Sequence, residues 1–217
     1  MFEINTLLVG LLLVDFAFLG ASRLGTSVRQ VAVQGALLSL LTLAEHAGWS
    51  APWRVWVLAL GSGALKAVVF PTFLRHALRE ADVRREIEPY VGFTASVLVG
   101  VAALAASLWL AARLPLPGPV ASPLLVPVSL FTLLVGLFLL ISRRKALTQV
   151  VGYLVVENGV FCFGLALPEG APVSVEVGIL LDVFAAVFIM GIMIYHISRE
   201  FDHIDADRLA ALRDEAA

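Results

Sequence analysis

The feature that most constrains this chain is a succession of apolar stretches, each long enough to cross a membrane as a helix and each bounded by charge, proline or glycine. They fall at 4–22, 31–46, 55–74, 91–112, 124–142, 147–167 and 174–196, the second being the shortest. A hydrocarbon core about 30 Å thick needs about 20 helical residues to cross it, and a helix satisfies its own backbone groups in lipid. Seven such spans occupy roughly 140 residues and leave no room in 217 residues for a separate soluble domain. Composition agrees. The chain is 60% apolar and 15% charged, where soluble domains run at about 45–50% and about 25%, so a water-soluble globule, a disordered tail and a nucleic-acid binder are all disfavoured. The expected fold is all-α, a polytopic transmembrane bundle of about seven spans.

Sidedness follows from the basic residues, which are held on the cytoplasmic side during insertion. With the amino terminus outside, twelve basic residues lie inside: Arg23, Arg29, Arg75, Arg79, Arg84, Arg85, Arg143, Arg144, Lys145, Arg199, Arg208 and Arg213. Arg54 and Arg113 lie outside and Lys66 lies within a span, which accounts for all fifteen. Trp49, Trp53, Trp56 and Trp109 then gather at the outer interface, where indole rings prefer to sit. The carboxyl terminus is placed in the cytoplasm, as in a bacterial inner-membrane protein. The start of the chain carries Glu3 in place of the positive region of a signal peptide, so the first run reads as a retained span.

A proline-rich outer connection (Pro115, Pro117, Pro119, Pro123) divides the chain into a four-span module, 1–113, and a three-span module, 124–217. No long internal repeat stands out, which disfavours a transporter made of two matching halves. Cys162 is a single thiol within an apolar run and reads as a packing residue. His76, His196 and His203 lack metal-ligand spacing, and no phosphate loop, dinucleotide fingerprint or nucleophile elbow occurs. No cofactor, metal or catalytic residue of an autonomous enzyme is expected.

Four ionisable residues interrupt the runs near their centres: Asp15, Lys66, Glu157 and Asp182. At 1.5 Å per residue they lie about 12–18 Å from a membrane face, so they form a layer rather than a scatter. Each Asp or Lys at a helix centre costs about 2.5–3.5 kcal/mol on insertion scales, so such groups pair, protonate or line water. Gln149, Tyr153 and Glu157 recur at i+4 and share a helix face, making a polar stripe from the inner surface to mid-membrane. Gly178, Asp182 and Ala185 make a small-sided face beside the second acid. Pro71 cannot donate to the carbonyl of Ala67, which predicts a kink about one turn beyond Lys66. A carboxylic acid shielded from water loads and releases protons nearer neutral pH than an exposed one. The residues thus point to a proton or cation relay of Glu157, Asp182 and Lys66, supported by Tyr153, Gln149 and Asp15. The bland reading of each charge is a buried partner that fixes helix packing.

Other features read as structure. Gly92, Ser96 and Gly100 make a small-residue packing row. Glu45 and His46 form an interfacial pair. The charged stretch 75–88 and the tail from Arg199 are solvated faces or docking surfaces.

The segment SRRKALTQVVGYLVVENGVFCFGLALP, followed by VEVGILLDVFAAVFIMGIMIYHI and HIDADRLAALRD, resembles hydrogenase-4 component E, a membrane-arm subunit of formate hydrogenlyase-type energy-converting hydrogenases. The same spans are similar to subunit K of respiratory complex I and, more distantly, to its small MrpC-like counterpart in multisubunit cation/proton antiporters. SGALKAVVFPTFLRHALRE resembles the matching part of component E, including Lys66 and the proline after it. The resemblance covers 140–215 best and 55–90 fairly. It implies a non-catalytic subunit beside antiporter-like membrane proteins, with metal chemistry in other chains and protons or Na+ as the ions moved. Glu157 matches the first mid-membrane acid of the complex I relatives and Asp182 the second, as Asp in place of Glu. Asp15 matches no family motif. Two other readings stand beside this one: an assembly spacer with structural charges, and a stand-alone small-solute carrier or heptahelical receptor.

Overall fold

The computed structural model describes residues 2–45, 53–80, 90–115, 120–143 and 146–167, and every regular element among them is helical. The elements are α1 (Phe2–Gly20), α2 (Leu24–Glu45), α3 (Trp53–Ala64), a π-helical turn (Leu65–Val69), α4 (Phe70–Glu80), α5 (Phe93–Ala111), α6 (Leu125–Ser142) and α7 (Ala146–Gly164). Among the described residues six helices are long and apolar enough to cross a membrane. The seventh expected span, 174–196, lies outside the described residues.

Two boundaries differ from expectation for physical reasons. α2 begins at Leu24, seven residues before the apolar run suggests, and with 22 residues it is longer than α1, α5, α6 or α7. Its early turns carry the exposed Arg29 and the half-buried Gln30, which apolar counting assigns to a loop. The disturbance attributed to Pro71 lies on the amino-terminal side of the proline, in the turn that contains Lys66. There the Phe70 N–H bonds the Leu65 carbonyl five residues back, so the helix widens by one residue where the proline ring would otherwise crowd its predecessor.

Helix α6 packs antiparallel against α7, and glycines set how close they come. A Cβ on Gly152 would stand 2.8 Å from the Leu140 nitrogen, and one on Gly159 would stand 2.6 Å from that of Leu133. Gly136 faces the Val156 backbone in the same way. Lipid gives helices no hydrophobic reason to associate, so such backbone contact supplies the attraction. α1 packs against α2, α5 and α6, while α2 packs against the α3–α4 rod and α7.

Among the described helices α5 is the most peripheral, with 17% of its span buried. Its Ser96, Gly100 and Ser107 turn inward, with Gly100 received by Phe16 and Leu19, whereas Leu98, Val101, Leu108 and Trp109 face outward. Such outward apolar surface suits lipid and would be a liability in water. Arg113 lies over the Trp109 ring at 4.3 Å, a cation–aromatic pair at the helix end.

The core is divided. One apolar cluster holds Phe18, Leu19, Val28, Val31, Phe70, Leu74, Val135, Leu139, Val151 and Val155. A second holds Ile4, Leu8, Leu11, Leu38, Leu41, Leu125, Val128, Cys162 and Ala166. In α1, α2 and α7 the residues between the two clusters include Asp15, Gln34, Glu157 and Asn158, and on α6 Thr132 directly follows Phe131 of the first cluster; all five polar side chains are buried. A polar layer therefore crosses the bundle between two apolar ones.

Candidate functional site: a polar layer inside the bundle

Lys66 and Glu157 meet in this layer. The Lys66 Nζ lies 2.6 Å from Glu157 Oε1, with both side chains about as buried as the apolar core, at 3% and 2% exposure. The ammonium also stands 4.4 Å from the ring centroid of Phe161. Phe161 follows Glu157 by four residues, so α7 offers carboxylate and aromatic ring on one face. Both charges are desolvated, and removing one partner would strand the other.

What brings Lys66 to that position is a close approach to α2. A Cβ built on Gly35 would lie 2.7 Å from Lys66 Cβ, 2.8 Å from its carbonyl carbon and 3.0 Å from the Ala67 nitrogen. Gly35 thus lets the backbone of the π turn rest on α2, and any larger side chain would push the turn away. Below it Ser39 donates to the Ala59 carbonyl at 2.7 Å, pinning α3 to the same helix.

Asp15 is handled differently. Gln34 Nε2 donates to its Oδ1 at 2.8 Å, and Thr132 Oγ1 lies 2.6 Å from its Oδ2. Thr132 Oγ1 also lies 2.9 Å from the Val128 carbonyl. Gln34 Oε1 in turn accepts from Asn158 Nδ2 at 2.9 Å. Four helices are joined by this chain of Thr132, Asp15, Gln34 and Asn158, and its last member neighbours Glu157 in sequence. Asn158 Oδ1 is buried without a hydrogen-bond partner among the described residues.

Of the residues singled out from sequence, the structure brings Lys66 and Glu157 into contact and sets Asp15 in the same layer with its own partners. Tyr153 is half-buried against the first apolar cluster, one turn from Glu157. Gln149 donates to the Arg143 carbonyl at 3.2 Å, in the first turn of α7. Asp182 lies outside the described residues, and so do Gly178 and Ala185. Cys162 is buried and free. Among the described residues no group of acidic, histidine or cysteine side chains is arranged to hold a metal.

Sequence reading missed Gln34, Thr132, Asn158 and Phe161. The first three are uncharged polar residues, each within an otherwise apolar run at the depth of a charge, and that coincidence is the signal that would have found them. It also misread Arg143 as a marker of sidedness alone. Its guanidinium is buried, donates to the Leu19 carbonyl at 3.3 Å and lies 5.5 Å from the Phe93 ring.

The fold and this layer define a multi-pass helical membrane protein with hydrogen-bonded and paired charges in its interior. Comparison with known proteins gives it relatives. The chain is 31% identical over 208 residues to the uncharacterized protein Rv0085 of Mycobacterium tuberculosis, covering 94% of this chain and 93% of that one. It is 30% identical over 150 residues to hydrogenase-4 component E of Escherichia coli, covering 68% of each chain. The same identity and coverage relate it to hydrogenase-4 component E of Shigella flexneri. No family model and no solved structure matches. The chain belongs to the hydrogenase-4 component E family.

Proposed function

We propose that this protein is a membrane subunit of an energy-converting hydrogenase complex of the hydrogenase-4 or formate hydrogenlyase type, and that its buried charges take part in ion translocation driven by redox chemistry in partner subunits. The observation that carries the reading is the Lys66–Glu157 pair, 2.6 Å apart in the polar layer. Membership in the component E family supports the assembly.

The chemistry runs through charge balance. A proton taken up by Glu157 cancels its charge and leaves the Lys66 ammonium buried without its counter-ion, which is costly. Lys66 must then give up its own proton or turn to another carboxylate. In this proposal that carboxylate is Asp182, with Tyr153 and Gln149 leading toward the cytoplasmic face. The ion is H+, with Na+ as the alternative, and the partners are antiporter-like membrane subunits in the bacterial inner membrane. The amino-terminal four-span part, 1–113, supplies Lys66, and the carboxyl-terminal part, 124–217, resembling complex I subunit K, supplies both acids.

The test is Glu157→Gln in the assembled complex. The expected result is loss of proton pumping with the complex still present in membranes; unchanged pumping removes Glu157 from the relay. A second reading is favoured by the chain of hydrogen bonds across four helices, which is also what an assembly spacer needs. On that reading Glu157→Gln loses the complex from membranes and leaves the pumping per assembled complex unaltered.

A further inference from the structure

We propose that Asp15 is a second proton-binding site in the layer, carrying its proton on Oδ2 toward Thr132. The assignment stands on geometry apart from the relay reading.

Charge balance comes first. Asp15 is fully buried, and among the described residues the elements packed on α1 are α2, α5 and α6. α5 and α6 carry no ionisable side chain along their whole length. On α2 the residue that meets Asp15 is the neutral Gln34, Arg29 is exposed, and Glu45 stands at the far end. On α7 Glu157 already holds Lys66, and Cys162 is a buried thiol. Among the described residues no cation is in hydrogen-bonding contact with Asp15. A carboxylate in such a place would be an unpaired buried charge, the state that membrane interiors and protein cores avoid.

The hydrogen count points the same way. Thr132 has one hydroxyl hydrogen and two oxygens within reach, Asp15 Oδ2 at 2.6 Å and the Val128 carbonyl at 2.9 Å. If Asp15 is ionised, one of these contacts has no hydrogen in it. If Asp15 carries a proton on Oδ2, its O–H donates to Thr132 Oγ1, and the threonine hydrogen goes to Val128. Both contacts are then hydrogen bonds of ordinary O–H···O length. Asp15 Oδ1 remains a carbonyl oxygen and accepts from Gln34 Nε2 at 2.8 Å. The orientation of Gln34 is fixed from its other end, because its Oε1 accepts from Asn158.

The hydrogen-bonded chain from Asp15 ends at Asn158, which is next to Glu157 in the sequence.

Infrared spectroscopy of the full chain, purified in lipid with its retained partners and with aspartate carboxyls 13C-labelled, tests this directly. At neutral pH the protonated-carboxyl C=O absorption of an aspartic acid is expected, lost in Asp15→Asn and retained in Glu157→Gln. Thr132→Val, which keeps the volume and removes the hydroxyl, shifts the same band to higher wavenumber and carries the test even if Asp15→Asn fails to accumulate. The proposal is overturned if wild type and Asp15→Asn superimpose in this region, or if Thr132→Val leaves the band where it was. Neither result bears on Glu157, whose role is decided by pumping.

Discussion

Glu157 and Asp15 are two carboxyl groups in one buried layer, and they keep opposite company. Glu157 faces an ammonium that also lies over an aromatic ring, whereas Asp15 faces an amide and a hydroxyl. The first environment suits a charge and the second suits a neutral acid. Both arrangements depend on α2, where adjacent residues serve the two centres. Gln34 supplies the hydrogen bond to Asp15, and Gly35 supplies the room for the π turn that carries Lys66. The difference teaches that burial alone does not set what an intramembrane acid can do; the neighbours placed around it decide.

The comparison can be broken most severely at the ion pair. Lys66→Ala strands Glu157, and breaking a buried pair from one side costs about 3–5 kcal/mol, so thermal unfolding of the chain in detergent should show a large loss of stability. Lys66→Met combined with Glu157→Leu should recover most of it, since replacing both partners with apolar groups is often neutral. A double variant as unstable as Lys66→Ala would show that the charges are not mutually satisfied.

Gly35→Ala comes next. The added methyl must displace the Lys66 backbone, and overpacking of this kind costs about 1–3 kcal/mol. It should also separate Lys66 from Glu157, so adding Glu157→Leu to Gly35→Ala should cost less than the single effects combined. Additive costs would mean that Gly35 and the pair are independent.

At Asp15 the two carboxyls should part ways. Asp15→Asn keeps a neutral group able to take the Gln34 hydrogen and is expected to cost under about 1 kcal/mol, while Asp15→Ala leaves buried polar partners unmatched at about 1–3 kcal/mol. Equal losses in the two variants would argue for an ionised Asp15. The smallest effect belongs to Leu98 on the outer face of α5: Leu98→Ala should stay within about 0.5 kcal/mol, serving as the baseline for the others.

Much of the fold was legible because lipid imposes a simple rule on length and apolarity, and α1, α5, α6 and α7 fall within a few residues of their expected bounds. α2 was harder, because Gln34 reads as a polar interruption until Asp15 and Asn158 are seen to satisfy it. Pro71 announced a disturbance, but whether a helix kinks or widens depends on what packs beside it, and that is Gly35. The charges of the layer were legible as costs that needed partners. Which partner each found was not, since Lys66 and Glu157 are 91 residues apart in the chain, and neutral hydrogen-bonding residues carry a smaller burial cost than charges, so they stand out less in the apolar runs.

Proton translocation by the assembled complex in inverted membrane vesicles, measured with Glu157→Gln beside wild type at equal complex content, tests the role of the ion pair most directly. Vesicles with the variant should oxidise the electron donor but acidify their lumen far more slowly. Equal acidification rates in the two preparations would contradict a part for Glu157 in moving ions.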